Sequence, residues 1–77
     1  MVKVLFFAHL RDTVGEDYVM IDANGKTISQ LKEIVETKYN IPKLDSVMVA
    51  INEEFATEDE MIKTGDTVAF IPPVSGG

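Results

Sequence analysis

Apolar positions recur with period two near both ends of the chain and with helical spacing in the middle. From Val2 to Ala8, an extended backbone places Val2, Val4 and Phe6 on one side and Lys3, Leu5 and Phe7 on the other. Both sides are largely apolar, which points to a strand inside a sheet. His9 to Gly15 is polar and ends in glycine, so it should turn or form a short helical stretch. Asp17 to Asp22 is β-branched and aromatic enough for a second strand, and Asn24-Gly25 punctuates the chain after it. Thr27 followed three positions later by Gln30 is a capping-box pattern. Ile28, Leu31, Ile34 and Val35 then form one helical stripe, with Lys32, Glu33, Glu36 and Lys38 expected to face solvent. Asn40 and Pro42 should stop this helix near Tyr39. Val47 to Asn52 predicts a third strand, with Val49 and Ile51 on one face, and Phe55 a very short fourth. Glu58 to Lys63 is expected to make a helical turn with Met61 and Ile62 packed inward. Gly65-Asp66 turns the chain into the last strand, Thr67 to Ile71, which Pro72 ends because proline has no N–H for a ladder.

The expected order is β-β-α-β-(β)-β. A single amphipathic helix needs one sheet face to cover, and a mixed sheet of four to five strands supplies it. The first two strands are close enough for a hairpin. Placing the first and last strands side by side, parallel and central, explains why both are apolar on both faces. This is an α+β roll of the β-grasp, ubiquitin-like type. The expected organisation is one domain over residues 1–71 and an extended, flexible tail over 72–77.

Composition narrows the chemistry. The chain has 77 residues, no cysteine and one histidine. Disulfides, thiolate zinc sites, iron–sulfur clusters, a cysteine nucleophile and multi-histidine metal sites are thereby excluded. The formal net charge is −6, from seven basic against thirteen acidic residues. That balance lacks the basic footprint of a duplex nucleic-acid binder and disfavours anionic membrane surfaces. The longest apolar run, Val4–Ala8, is far short of the ~20 residues that span a bilayer. It is also shorter than a signal-peptide core, so the cytoplasm is the expected compartment.

The closing segment Pro72-Pro73-Val74-Ser75-Gly76-Gly77 is the unusual feature. A proline pair favours a stiff, extended backbone that would hold the tail off the body, with a reach of roughly 20 Å. Two glycines place no β-carbon beside the terminal carboxylate and let it enter a narrow channel. The segment from Gly65 to Gly77, together with Val2 to Ala8 at the other end, resembles the small, sulfur-carrier subunits of molybdopterin synthases.

The resemblance covers essentially the whole chain, and it implies the following chemistry. An adenylating enzyme of the ubiquitin-activating type uses ATP and Mg²⁺ to adenylate the carboxylate of Gly77. A sulfur donor displaces AMP and leaves a thiocarboxylate. The tail then enters the large catalytic subunit, the two assembling as a heterotetramer, and sulfur passes to cyclic pyranopterin monophosphate to build the dithiolene of the molybdenum cofactor. The chain would be a non-catalytic co-substrate with no stably bound cofactor. Gly77 would be the reacting residue and Gly76 the one that permits its approach, with Pro72, Pro73, Val74 and Ser75 in contact with the partner. Gly-Gly ends also occur in thiamine-pathway sulfur carriers and in ubiquitin-like protein modifiers, and both remain alternatives.

The residue pattern also offers a docking surface. If Val4, Phe6, Val68 and Phe70 face the helix, then Leu5, Phe7, Ala69 and Ile71 lie together on the opposite face as an uncovered apolar patch. The resemblance adds Phe55 to that patch and Arg11 at its edge. The acidic runs Glu53-Glu54 and Glu58-Asp59-Glu60 lack calcium-loop spacing and read as solvated loop charge or as complements to a basic partner. His9 has no adjacent nucleophile, Ser75 has no preorganised base, and Gly15 and Gly25 form no phosphate loop.

Overall fold

The computed structural model describes residues 1–41, 44 and 47–72. Five strands and two helices follow one another as β1 (Val2–Phe6), α1 (His9–Val14), β2 (Tyr18–Ile21), α2 (Ile28–Tyr39), β3 (Met48–Ile51), β4 (Glu54–Ala56) and β5 (Thr67–Ile71). The strands form a single sheet in the order β2-β1-β5-β3-β4. The central pair β1·β5 is parallel, with Val4 opposite Val68 and Phe6 opposite Phe70. Every other pairing is antiparallel. This is the β-grasp arrangement, and the parallel central pair accounts for the apolar character of both terminal strands.

The core lies between one sheet face and α2. Val2, Val4, Phe6, Val68 and Phe70 from the sheet meet Ile28, Leu31 and Val35 from the helix, all of them buried. The Phe6 ring stands edge-on to Phe70 at 6.0 Å and to Tyr39 at 6.1 Å between centroids, an arrangement aromatic pairs prefer. The capping box at the start of α2 is complete. Thr27 Oγ1 accepts from the Gln30 N–H at 3.2 Å, and Gln30 Oε1 accepts from the Thr27 N–H at 2.9 Å. Asn40 closes the helix in the left-handed conformation, φ 52°.

Several expectations need correction. Lys32 does not face solvent: it is 6% exposed. Four residues after Ile28, it lies on the edge of the apolar stripe, and its stem runs inward. Its ammonium group donates to the Val47 carbonyl at 3.0 Å and to Glu58 Oε1 at 2.9 Å, so the buried charge is paired. Glu58 to Lys63 is no helical turn. Glu58 and Asp59 form a tight turn closed by the Glu60 N–H on the Thr57 carbonyl at 3.2 Å, and from Glu60 the chain runs beside the start of α2 with a bridge between Met61 and Thr27. The Lys26 carbonyl accepts from the Ile62 N–H at 2.8 Å, and the Glu60 carbonyl from the Ile28 N–H at 3.0 Å. The alternating side chains therefore point to opposite sides, leaving Ile62 buried and Met61 60% exposed.

Strand ends also shift. β1 stops at Phe6 because Ala8 takes φ 52° to enter α1, and β3 stops at Ile51 because Asn52 takes φ 50° in a turn. No described helix is long and apolar enough to cross a membrane.

Candidate functional site

The sheet face away from α2 carries the candidate site, and strand register builds it. Tyr18 is opposite Leu5, Leu5 opposite Ala69, Ala69 opposite Ala50, and Ala50 opposite Phe55. One row of side chains thus crosses all five strands. In its middle stand two alanines, whose methyl groups fill little space. Leu5 rises on one side, Phe55 on the other, and Phe7 and Ile71 close one end. The result is a concavity of about 550 Å³. Asn52, Glu53 and Thr67 line its opposite rim. Phe55 is 69% exposed and Phe7 45%. Two aromatic rings held out beside an apolar trough on a chain this small mark an interaction face.

The structure brings together Leu5, Phe7, Phe55, Ala69 and Ile71. Arg11 is not among the residues that line the concavity. It sits on α1 with its guanidinium 3.7 Å from Asp17 Oδ1, both side chains well exposed. His9 is exposed on the same helix. Pro72, one residue past β5, is buried. Pro73, Val74, Ser75, Gly76 and Gly77 lie outside the described residues. The sequence pattern did not place Ala50, Asn52 or Thr67 at a site, and it marked Glu53 only as loop charge or a complement to a basic partner, not as part of this concavity. Ala50 had a signal: it alternates with Val49 and Ile51 and so must face away from the helix.

The rim is organised by Asn52 and Asp66. The Asn52 N–H donates to the Thr67 carbonyl at 2.8 Å, and Asn52 Oδ1 accepts from the Thr67 N–H at 3.0 Å. Asn52 Nδ2 donates to Asp66 Oδ1 at 3.0 Å, while Asp66 Oδ2 accepts from the Lys63 N–H at 2.9 Å. The backbone bond from Lys63 and then the amide of Asn52 favour the ionised form and hold the Asp66 carboxyl below the usual aspartate range. A carboxylate depressed in the folded state stabilises fully above its unfolded value, about 3.9, and that contribution is lost as pH falls through the lower folded value. Urea titrations from neutral pH to about pH 2 should therefore show the parent losing stability below roughly pH 4, and Asp66→Asn losing less over the same span. Equal acid slopes would refute the assignment. Among the described residues, no group of three or more His, Cys, Asp or Glu is placed to hold a metal ion.

A protein-family model described as the ThiS family matches residues 4–77. The chain belongs to the ThiS family. Its relatives there include the molybdopterin synthase sulfur carrier subunit of Escherichia coli K12, which is 35% identical over 81 aligned positions covering 100% of both chains. Among solved structures, a Pyrococcus furiosus protein described as a candidate molybdopterin converting factor subunit 1 superposes with a TM-score of 0.81 at 30% identity. That match covers 95% of this chain and 97% of the other. A Helicobacter pylori complex of subunits 1 and 2 of the molybdopterin-converting factor matches with a TM-score of 0.69 at 27% identity, over 99% of this chain and 98% of that one. The ThiS-family fold thus recurs in a protein whose structure was solved together with a second subunit.

Proposed function

We propose that this chain is the sulfur-carrier subunit of a molybdopterin synthase. The observation that carries the reading is the exposed apolar concavity formed by Leu5, Phe7, Phe55 and Ile71, at the end of the sheet from which the Pro-Pro-Val-Ser-Gly-Gly segment departs. Family membership and the sulfur-carrier relatives point the same way. In this proposal, residues 1–71 are the recognition body and residues 72–77 the arm that delivers the reacting group. The large catalytic subunit covers the apolar face and receives the arm.

The chemistry belongs to the terminal carboxylate of Gly77. Unaided, a carboxylate resists exchange of its oxygen because oxide is a poor leaving group. An adenylating enzyme of the ubiquitin-activating type transfers AMP from Mg²⁺-ATP to that oxygen and releases pyrophosphate. The acyl carbon then bears AMP as its leaving group. A sulfur donor delivers a sulfide equivalent to the acyl carbon, the C–O bond to AMP breaks, and a thiocarboxylate remains. In the large subunit the thiocarboxylate sulfur attacks an electrophilic carbon of cyclic pyranopterin monophosphate and displaces an oxygen substituent; water then cleaves the acyl C–S bond, which leaves the sulfur on the substrate and regenerates the Gly77 carboxylate. Gly76 leaves the approach to the acyl carbon open.

Intact-mass measurement tests this. After incubation with the activating enzyme, ATP, Mg²⁺ and a sulfur source, the chain should gain about 16 Da, the replacement of one oxygen by sulfur at the acyl carbon. An unchanged mass with a competent enzyme would overturn the reading. Larger adducts on lysines, resistant to reducing agent, would instead indicate a ubiquitin-like modifier. A thiolated chain that fails to bind the large subunit yet serves thiamine synthesis would place it in that pathway.

A further inference from the structure

The β3–β4 hairpin closes through a two-residue loop, since Ile51 and Glu54 are its last paired positions. The loop residues Asn52 and Glu53 both have positive φ, 50° and 72°. Such a loop favours asparagine followed by glycine. Asn52 meets the first preference and fastens itself to Thr67 and Asp66. Glu53 violates the second, because a β-carbon crowds the backbone in the left-handed region. Local structure alone would place glycine there.

Glu53 is also the only charged residue on the wall of the apolar concavity among the described residues. It makes no ion pair among the described residues. Its neighbour Phe55 is the most exposed large hydrophobic side chain described. A partner that covers this face strips water from the Glu53 carboxylate together with the aromatic ring. Desolvating a lone carboxylate is costly unless a cation meets it.

We propose that Glu53 is a specificity residue of the docking face, kept for its charge at a position whose backbone favours glycine, and that it receives a lysine or arginine side chain of the large subunit. The inference rests on the docking reading above. A net charge of −6 already draws basic surfaces toward the chain, and Glu53 turns that general attraction into a test at one point. A surface of similar shape without the cation would strand the carboxylate and be rejected.

The test uses the full chain and the large subunit of molybdopterin synthase from the same source. E53Q keeps the backbone strain and removes the charge. Its dissociation constant should rise about tenfold at low salt, with a smaller difference at high salt, and its melting temperature should match the parent's. E53G should lose affinity to the same extent while melting several degrees higher, because glycine relieves the left-handed position. E53Q binding within about twofold of the parent at low salt overturns the proposed ion pair. E53G melting at or below the parent overturns the proposed strain. Failure of the parent chain itself to bind the large subunit overturns the docking reading and this inference with it.

Discussion

Phe70→Ala is expected to remove about 3–5 kcal/mol of folding stability. Phe70 is 0% exposed and lies on β5, paired in register with Phe6 on β1 and with Val49 on β3. Its ring meets Phe6 edge to face, so truncation removes a large buried area, breaks an aromatic pair and leaves a cavity where three central strands meet. The neighbouring strands are already fixed by their pairing in the sheet, which limits collapse into the gap. A chain of 77 residues has only about 4–12 kcal/mol in total, so this one change approaches the whole reserve. Thermal unfolding should shift downward by more than about 12 °C. Phe7→Ala is the informative comparison. Phe7 is one residue beyond β1 and 45% exposed on the opposite face, and its loss should cost less than about 1 kcal/mol. Comparable losses for the two phenylalanines would mean that the apolar concavity is structural rather than free for a partner.

The contrast between those phenylalanines shows what the sequence could convey. Period-two alternation puts Phe6 and Phe7 on opposite faces wherever the strand lies, and only the position of α2 decides which face is core. The amphipathic stripe and the Thr27–Gln30 box supplied that helix, so the parallel central pair followed. Lys32 is polar in sequence yet buried in the fold, because its place on the helix outweighs its polarity. A lysine stem buries readily when its ammonium finds acceptors, and those acceptors, the Val47 carbonyl and Glu58, are 15 and 26 residues away. No local pattern could reveal them. The segment around Met61 failed for a related reason: its hydrogen bonds go to Lys26 and Ile28 in another part of the chain, and local propensity has no access to such bridges. Half of the candidate site was legible as the alternate face of β1 and β5. The rest arises from the β3–β4 turn, where Asn52 and Glu53 reach the rim only because Asn52 is tied to Thr67 across the sheet. Glu53 gave no turn signal of its own, since the residue that would have announced the turn is glycine.

Deletion of Gly77 is expected to abolish thiocarboxylate formation while leaving the fold untouched. Among the described residues every buried side chain lies at or before Pro72, and the hydrogen bonds that hold the rim run among Asn52, Lys63, Asp66 and Thr67. Removing residue 77 deletes none of these, so the melting temperature should stay within about 1 °C of the parent. The chemistry has no such tolerance. On the sulfur-carrier reading, the activating enzyme holds the body and so fixes where the arm begins, and deleting one residue withdraws the carboxylate by about 3.5 Å. That equals the whole separation of reacting atoms in a near-attack geometry, and a misplacement of about 1 Å can already cost about a hundredfold in rate. Intact-mass analysis should therefore show no sulfur-for-oxygen product from the deletion variant under conditions that convert the parent fully. Gly77→Ala separates reach from access: it keeps the carboxylate at its distance and adds one β-carbon beside it. A partial loss in Gly77→Ala with a complete loss on deletion would locate the requirement in the length of the arm. Equal, complete losses would locate it in the narrowness of the channel that glycine alone can enter. A deletion variant that still acquires sulfur would refute Gly77 as the carrier of the reacting carboxylate, because the remaining end would then be reacting from a position the docked body cannot supply.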